Sequence, residues 1–157
     1  MRQMRRLRGP AQQRQHGFTL IEVMIAVLVL AVGLLGFALL QTMSVRFAQS
    51  ANYRTQATNL SYELLDQIRV NRVYAQAYVG SYASTTNLND CTSPTGNSLT
   101  AAQYMTDWRC RMTKGLGETA RATVARNGNQ MTVQITWGDN RWQTSGGDTT
   151  FTARTQL

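Results

Sequence analysis

The chain has 157 residues and a formal net charge of +8, a length that suits one domain with a modest core. Five arginines and no acidic residue precede Phe18, and the remainder carries 11 basic and 8 acidic residues, a net charge of only +3. This distribution argues against a nucleic-acid-binding domain, whose basic residues would be spread over a folded face.

The residue inventory also argues against an enzyme. The only histidine is His16 and the only lysine is Lys114. The sequence has no paired-carboxylate motif, no serine–histidine set and no metal-ligand spacing. The glycine-rich stretch 138–148 lacks the spacing of a phosphate-binding loop. We therefore expect no catalytic residue, no cofactor and no metal.

Residues 1–17 form a basic leader. A cluster of positive charge before an apolar run is what the positive-inside rule requires, and it predicts a cytoplasmic N-terminus. The arginines of this cluster are Arg2, Arg5, Arg6, Arg8 and Arg14.

Residues 18–40 form an apolar segment whose only charged residue is Glu22. As a helix the segment would be about 34 Å long at ~1.5 Å per residue, which is enough to cross a bilayer core. It is too long for the apolar region of a cleavable secretory signal, so an ordinary signal anchor is the alternative. A carboxylate in hydrocarbon costs on the order of 2.5–3.5 kcal/mol, so Glu22 is expected to have a partner, although so near the segment's end it could also reach the headgroups.

The junction of leader and apolar segment, GFTLIE at residues 17–22, resembles the processing motif of type IV prepilins. The resemblance implies that a prepilin peptidase cuts between Gly17 and Phe18 and that the new Phe18 amine is methylated. It also implies that Glu22 pairs with the Phe18 amine of a neighbouring subunit and so sets the axial register of a filament. A glycine before the cut is physically sensible, because it leaves the scissile peptide accessible.

Residues 41–72 contain no proline or glycine and are predicted to continue the helix in amphipathic form. We expect one long helix, with its first half in membrane or filament and its second half under a globular head; two separate helices are the alternative. Gly33 and Gly36 are the positions at which this helix is predicted to be most easily bent. The apolar face, spaced by three or four residues, consists of Tyr53, Ala57, Leu60, Leu64 and Ile68.

The head, residues 73–157, is predicted to begin with a long connection, Val73–Asn97, which shows no convincing periodicity. A short helix follows over about Thr100–Lys114. Thr100-x-x-Gln103 resembles a capping box, and Gly115 is placed to end the helix. Its predicted apolar face consists of Ala101, Met105, Met112 and Trp108, the last as a core anchor.

Three strands complete the predicted head. Ala120–Arg126 and Gln130–Trp137 flank Asn127-Gly128, which suits a tight hairpin. A third strand over about Thr149–Thr155 turns Phe151 and Ala153 inward. The predicted fold class is α+β: a long N-terminal helix, transmembrane and then amphipathic, packed on a small antiparallel sheet as in type IV pilins.

The two cysteines, Cys91 and Cys110, follow the apolar segment and so are expected on its periplasmic side. That oxidising compartment favours a disulfide between them, and two unrelated buried thiols are the alternative. A closed loop of this size would stabilise the fold by about 3 kcal/mol in the chain-entropy model.

The C-terminal part resembles PilV-type minor pilins in Trp108-x-Cys110, the Asn127-Gly128 hairpin and the Phe151 strand. This resemblance implies a low-abundance subunit that works with other minor pilins at the filament tip. The major pilin and the inner-membrane pilus assembly platform would be further partners. The subunit would prime assembly and affect adhesion, twitching motility and DNA uptake. The protein would start as a single-pass inner-membrane protein and then reach the cell surface in the pilus. A pseudopilin of a type II secretion system is the alternative.

A third hypothesis is a pilus subunit that binds DNA directly. With a net charge of only +3 after the leader, a solvated surface explains the arginines of the head better than a nucleic-acid footprint does. The patch would have to be built from Arg109, Arg111, Arg121, Arg126, Arg141 and Arg154.

Overall fold

The computed structural model describes residues 17–87, 91, 93, 99–139 and 147–157. The chain divides into two compact units between Ser44 and Val45. Helix α1 contributes to both units, and the second unit contains all the other elements. In chain order the elements are α1 (Leu20–Val70), a 3₁₀ helix (Arg72–Tyr78), β1 (Gly80–Ala83), α2 (Ala101–Leu116), β2 (Arg121–Asn127), β3 (Gln130–Gly138) and β4 (Asp148–Gln156).

Helix α1 is a single helix of 51 residues, as predicted, and it ends two residues before the predicted boundary. It runs through Gly33 and Gly36 without interruption. The side chains of residues 18–44 are exposed, and none of the apolar window is buried. By length and composition this stretch can cross a membrane.

From Val45 onward α1 packs against the sheet and α2 through the predicted face. Ala57, Leu60, Leu64 and Ile68 are buried, and Tyr53 is partly buried against the same core. Ser61 and Leu65 widen the buried stripe. The Ser61 hydroxyl donates to the Ala57 carbonyl at 2.8 Å, which satisfies a polar group inside the interface.

The sheet is antiparallel with strand order β1-β2-β3-β4. The predicted hairpin joins β2 to β3, and Gly128 adopts a φ of 59° in its turn, which explains the glycine. Along β4, and along β3 as far as Ile135, buried side chains alternate with more exposed ones, whereas Thr136 is buried between Ile135 and Trp137. The inward residues include Met131, Val133, Ile135, Ala153 and, less completely, Phe151.

The prediction of a three-stranded sheet was wrong, because β1 adds a fourth strand. It lies in the stretch interpreted as an irregular connection and pairs with β2 from Gly80↔Val124 to Ala83↔Arg121. Four residues are too few to show an alternating pattern, and only the pairing with β2 makes them a strand. The 3₁₀ helix just before it buries Ala75 and Tyr78.

Helix α2 begins as predicted and ends differently. Thr100 is its N-cap and forms a reciprocal capping box with Gln103. The helix continues through Gly115, the predicted end, and stops before Gly117. The φ of 91° and ψ of 178° at Gly117 suit only glycine. The helix end was thus predicted at Gly115, the first of two glycines, but it lies at Gly117, the one with a positive φ.

Trp108 anchors the core, as predicted. Its side chain is fully buried, and its indole Nε1 donates to the Leu60 carbonyl at 3.1 Å, joining α2 to α1. On the sheet side Trp137, Ile135 and Val133 close the same core. A long helix with a small four-stranded antiparallel sheet is the predicted α+β, pilin-like class.

Candidate functional site

The predicted processing junction lies just before the first turn of α1. Gly17, Phe18 and Thr19 are exposed and not helical, and the helix starts at Leu20. The Glu22 backbone N–H lies 3.1 Å from the Thr19 carbonyl and 3.3 Å from its hydroxyl, so Thr19 acts as the N-cap. The Gly17–Phe18 peptide is therefore outside the helix, where an enzyme can bind it in an extended form.

The Glu22 carboxylate is exposed and has no hydrogen-bond or ion-pair partner among the residues described. It is the acidic group of the first turn, where the positive end of the helix dipole favours it. The residues around Glu22 on α1 are apolar, so a positively charged partner for it must come from outside the described part of the chain. The open groove around it is lined by Phe18, Glu22, Val23, Ala26, Val27 and Leu30.

The predicted disulfide is present in the head. Cys91 and Cys110 are bonded, with their Cα atoms 5.6 Å apart. Because Cys110 is a buried residue of α2, the bond ties the stretch before α2 to the helix itself. Close to this bond, the Ser93 hydroxyl donates to Asp107 of α2 at 3.1 Å, a second link between the same parts.

Helices α1 and α2 are joined by a polar cluster on the head. Arg111 binds both carboxylate oxygens of Glu63, at 2.5 and 2.6 Å, and its Nε donates to Asp107 at 2.9 Å. The Tyr104 hydroxyl donates to the same Glu63 at 2.9 Å. Burial and this bond to a carboxylate raise the pKa of Tyr104. Burial lowers the pKa of Arg111, but its contacts with Glu63 and Tyr104 outweigh that effect and raise it.

Two of the described head arginines, Arg111 and Arg121, are in ion pairs, whereas Arg154 is exposed and has no ion pair among the described residues. Arg111 is paired with two carboxylates, and Arg121 is paired with Asp148 at 2.6 Å. Arg109 and Arg126 each donate to a backbone carbonyl. Arg141 lies outside the described residues. Across the described part of the chain, no group of three acidic, histidine or cysteine side chains could hold a metal ion.

Two features of these sites were missed from the sequence. The Thr19 cap was visible in principle, since Thr19 and Glu22 have the spacing of a capping box. The contact of Glu63 with Tyr104 and Arg111 was not, because 41 and 48 residues separate the partners and only the packing of α1 against α2 brings them together.

The comparisons with known proteins bear on the N-terminal part. The model of the prokaryotic N-terminal methylation motif matches residues 12–38, which include the junction, Glu22 and most of the apolar segment. No curated protein and no solved structure matches the chain. The matched motif at the start of a long apolar helix supports a type IV pilin-like protein, that is, a pilin or pseudopilin, processed by prepilin peptidase.

Proposed function

We propose that the protein is a minor pilin of the PilV type, a low-abundance subunit that primes assembly of a type IV pilus. The observation that carries this proposal is the methylation motif at residues 12–38, which covers the start of a helix long and apolar enough to be a membrane anchor. In this role the protein contacts other minor pilins, the major pilin and the inner-membrane assembly platform.

Processing prepares the subunit for assembly. The peptidase removes residues 1–17, and the Phe18 amine is methylated. The arginine-rich leader holds the N-terminus in the cytoplasm until then, because charged loops cross a bilayer reluctantly. Once cut, the chain retains two charges at the start of its apolar helix, the Phe18 ammonium and the Glu22 carboxylate.

Glu22 then pairs with the Phe18 ammonium of an adjacent subunit. A lone carboxylate in hydrocarbon costs on the order of 2.5–3.5 kcal/mol, and pairing it with an ammonium removes both unpaired charges. The Glu22 side chain is exposed in an apolar groove and has no partner among the described residues, which supports this role. Because the pair forms only at one axial offset, it sets the register between subunits.

The test is the mature N-terminus of the protein from cells with and without prepilin peptidase. Mass spectrometry should find a chain that begins at Phe18 and carries one added methyl group, and cells without the peptidase should retain the leader. Gly17→Val should block cleavage, because a branched side chain crowds the scissile peptide. Gly9→Val, a matched change within the leader, should leave cleavage intact. A mature chain that begins anywhere else contradicts the proposal.

Deleting the gene distinguishes a pilus subunit from a pseudopilus subunit. Surface filaments, twitching motility and protein secretion should be scored separately in the same strain. Loss of filaments and motility with normal secretion is expected for a minor pilin. Loss of secretion with intact pili would assign the protein to a type II secretion system instead.

A further inference from the structure

Strand β4 is an open edge of the sheet. It pairs with β3 over nine residues, from Gly138↔Asp148 to Gln130↔Gln156, and within the described chain no strand lies on its other side. The Leu157 N–H donates to the Asn129 carbonyl at 2.9 Å. Counting back along β4 from Leu157, the N–H and C=O groups of every second residue therefore point toward β3. The intervening ones face away from the sheet; they belong to Thr150, Thr152, Arg154 and Gln156.

Apart from the charged residues Asp148 and Arg154, this edge lacks the features that usually protect an exposed strand. The sequence of β4, DTTFTARTQ, contains no proline, glycine or lysine, and its pairing with β3 has no bulge. Its four threonines and Phe151 favour an extended backbone. The opposite edge strand, β1, has only four residues and offers a much shorter row of peptide groups.

On both faces of the sheet, a side chain next to this edge is exposed and could make further contacts. On the helix side, the Tyr62 ring contacts Phe151 edge-on with centroids 6.5 Å apart, yet Tyr62 remains 55% exposed. A further strand would extend the sheet over α1 and cover this ring. On the other side, Arg154 is exposed and has no hydrogen bond or ion pair within the described residues. A carboxylate directly across from it on an added strand would be a favourable pair.

We propose that β4 accepts a fifth strand from a neighbouring pilin subunit. The occupant is an extended segment with an apolar residue over Tyr62 and a carboxylate opposite Arg154. Only an extended backbone matches a row of alternating donors and acceptors, which a helix or a nucleic acid does not. The inference rests on the proposed function, because a filament is what brings the head of another subunit against this edge.

The test removes one outward donor and leaves the fold intact. Thr152→Pro deletes an N–H that makes no bond to β3, and proline is tolerated at such edge positions. Thr152→Ala keeps the N–H and is the matched control. The readout is the fraction of processed full-length chain recovered in sheared filaments rather than in membranes. Incorporation of Thr152→Pro should fall about five-fold, the equivalent of one hydrogen bond, and that of Thr152→Ala should equal wild type.

A second pair of variants does not depend on proline being tolerated. Arg154→Glu places a like charge opposite the partner's carboxylate and should reduce incorporation several-fold, whereas Arg154→Lys should preserve it. A non-reducing gel that shows the Cys91–Cys110 disulfide in every variant checks the fold. Wild-type incorporation of Thr152→Pro and Arg154→Glu together overturns strand addition while the pilus assignment stands. A wild-type chain that is absent from filaments overturns both.

Discussion

Tyr104 shows how a single hydroxyl couples the two helices of the head. It donates to Glu63 of α1 while the Arg111 guanidinium lies 5.9 Å from the centre of its ring. The hydroxyl proton is hydrogen-bonded to a carboxylate, so the folded state holds this proton more tightly than the unfolded chain does. The pKa of Tyr104 is raised above its ordinary value of 10.0, mainly because the side chain is buried and also because of this hydrogen bond.

This shift predicts how stability depends on pH. A group whose pKa is raised by folding stabilises the protein fully below its unfolded pKa, and that contribution is lost as the pH rises toward the folded value. Tyr104→Phe should therefore lower the free energy of unfolding by about 1 kcal/mol at neutral pH and make it fall less steeply above pH ~10. Denaturant unfolding of the detergent-solubilised chain measures both effects. Tyr74→Phe, at an exposed site, is the control, and identical alkaline slopes for wild type and Tyr104→Phe would contradict the argument.

At the scale of elements, the two glycines at the end of α2 have opposite roles. Gly117→Ala forces a side chain into a backbone conformation that only glycine adopts readily and should cost about 1–3 kcal/mol. Gly115→Ala lies inside the helix, where its new methyl group would lie 3.5 Å from Gln56 Oε1, an ordinary contact. That change should stabilise the helix by up to ~1 kcal/mol. Thermal unfolding of the two variants gives the order, and a more stable Gly117→Ala would show that the helix end is wrongly assigned.

The elements also show which features of the sequence carry structural information. The β2–β3 hairpin could be predicted to within a residue, because Asn127-Gly128 and the alternation along β3 are both local signals. The start of α2 could be predicted for the same reason, from Thr100 and Gln103. Strand β1 could not, since it exists only through its pairing with β2. The end of α2 depended on which of two glycines takes a positive φ, which composition does not determine.

The sites also divide into those that a local sequence signal indicates and those that depend on tertiary packing. The cysteine pair could be predicted from the sequence because cysteines can be counted. The junction at Gly17 and Phe18 and the role of Glu22 rest on a short local motif and stay predictions. The disulfide is present in the structure. The cluster of Glu63, Tyr104 and Arg111 and the open edge at β4 are products of tertiary packing and strand order, so no local pattern indicated them.

At the scale of the whole molecule, the two units have surfaces of opposite character. The unit that ends at Ser44 exposes an apolar helix surface, whereas the unit from Val45 to Leu157 has a core of its own. An exposed apolar surface of this extent requires lipid or other subunits to cover it. In the proposed function this helix moves from lipid into a filament, and the Glu22 carboxylate then needs a charge partner there.

Incorporation of Glu22→Gln into filaments is the most direct test of this central claim. The substitution keeps the size of the side chain and removes its charge, so the Phe18 ammonium of the adjacent subunit loses its partner. Glu118→Gln, at an exposed site of the head, is the matched control. The account predicts that sheared filaments contain the control at the wild-type level and strongly depleted Glu22→Gln. Recovery of Glu22→Gln at the wild-type level would contradict it.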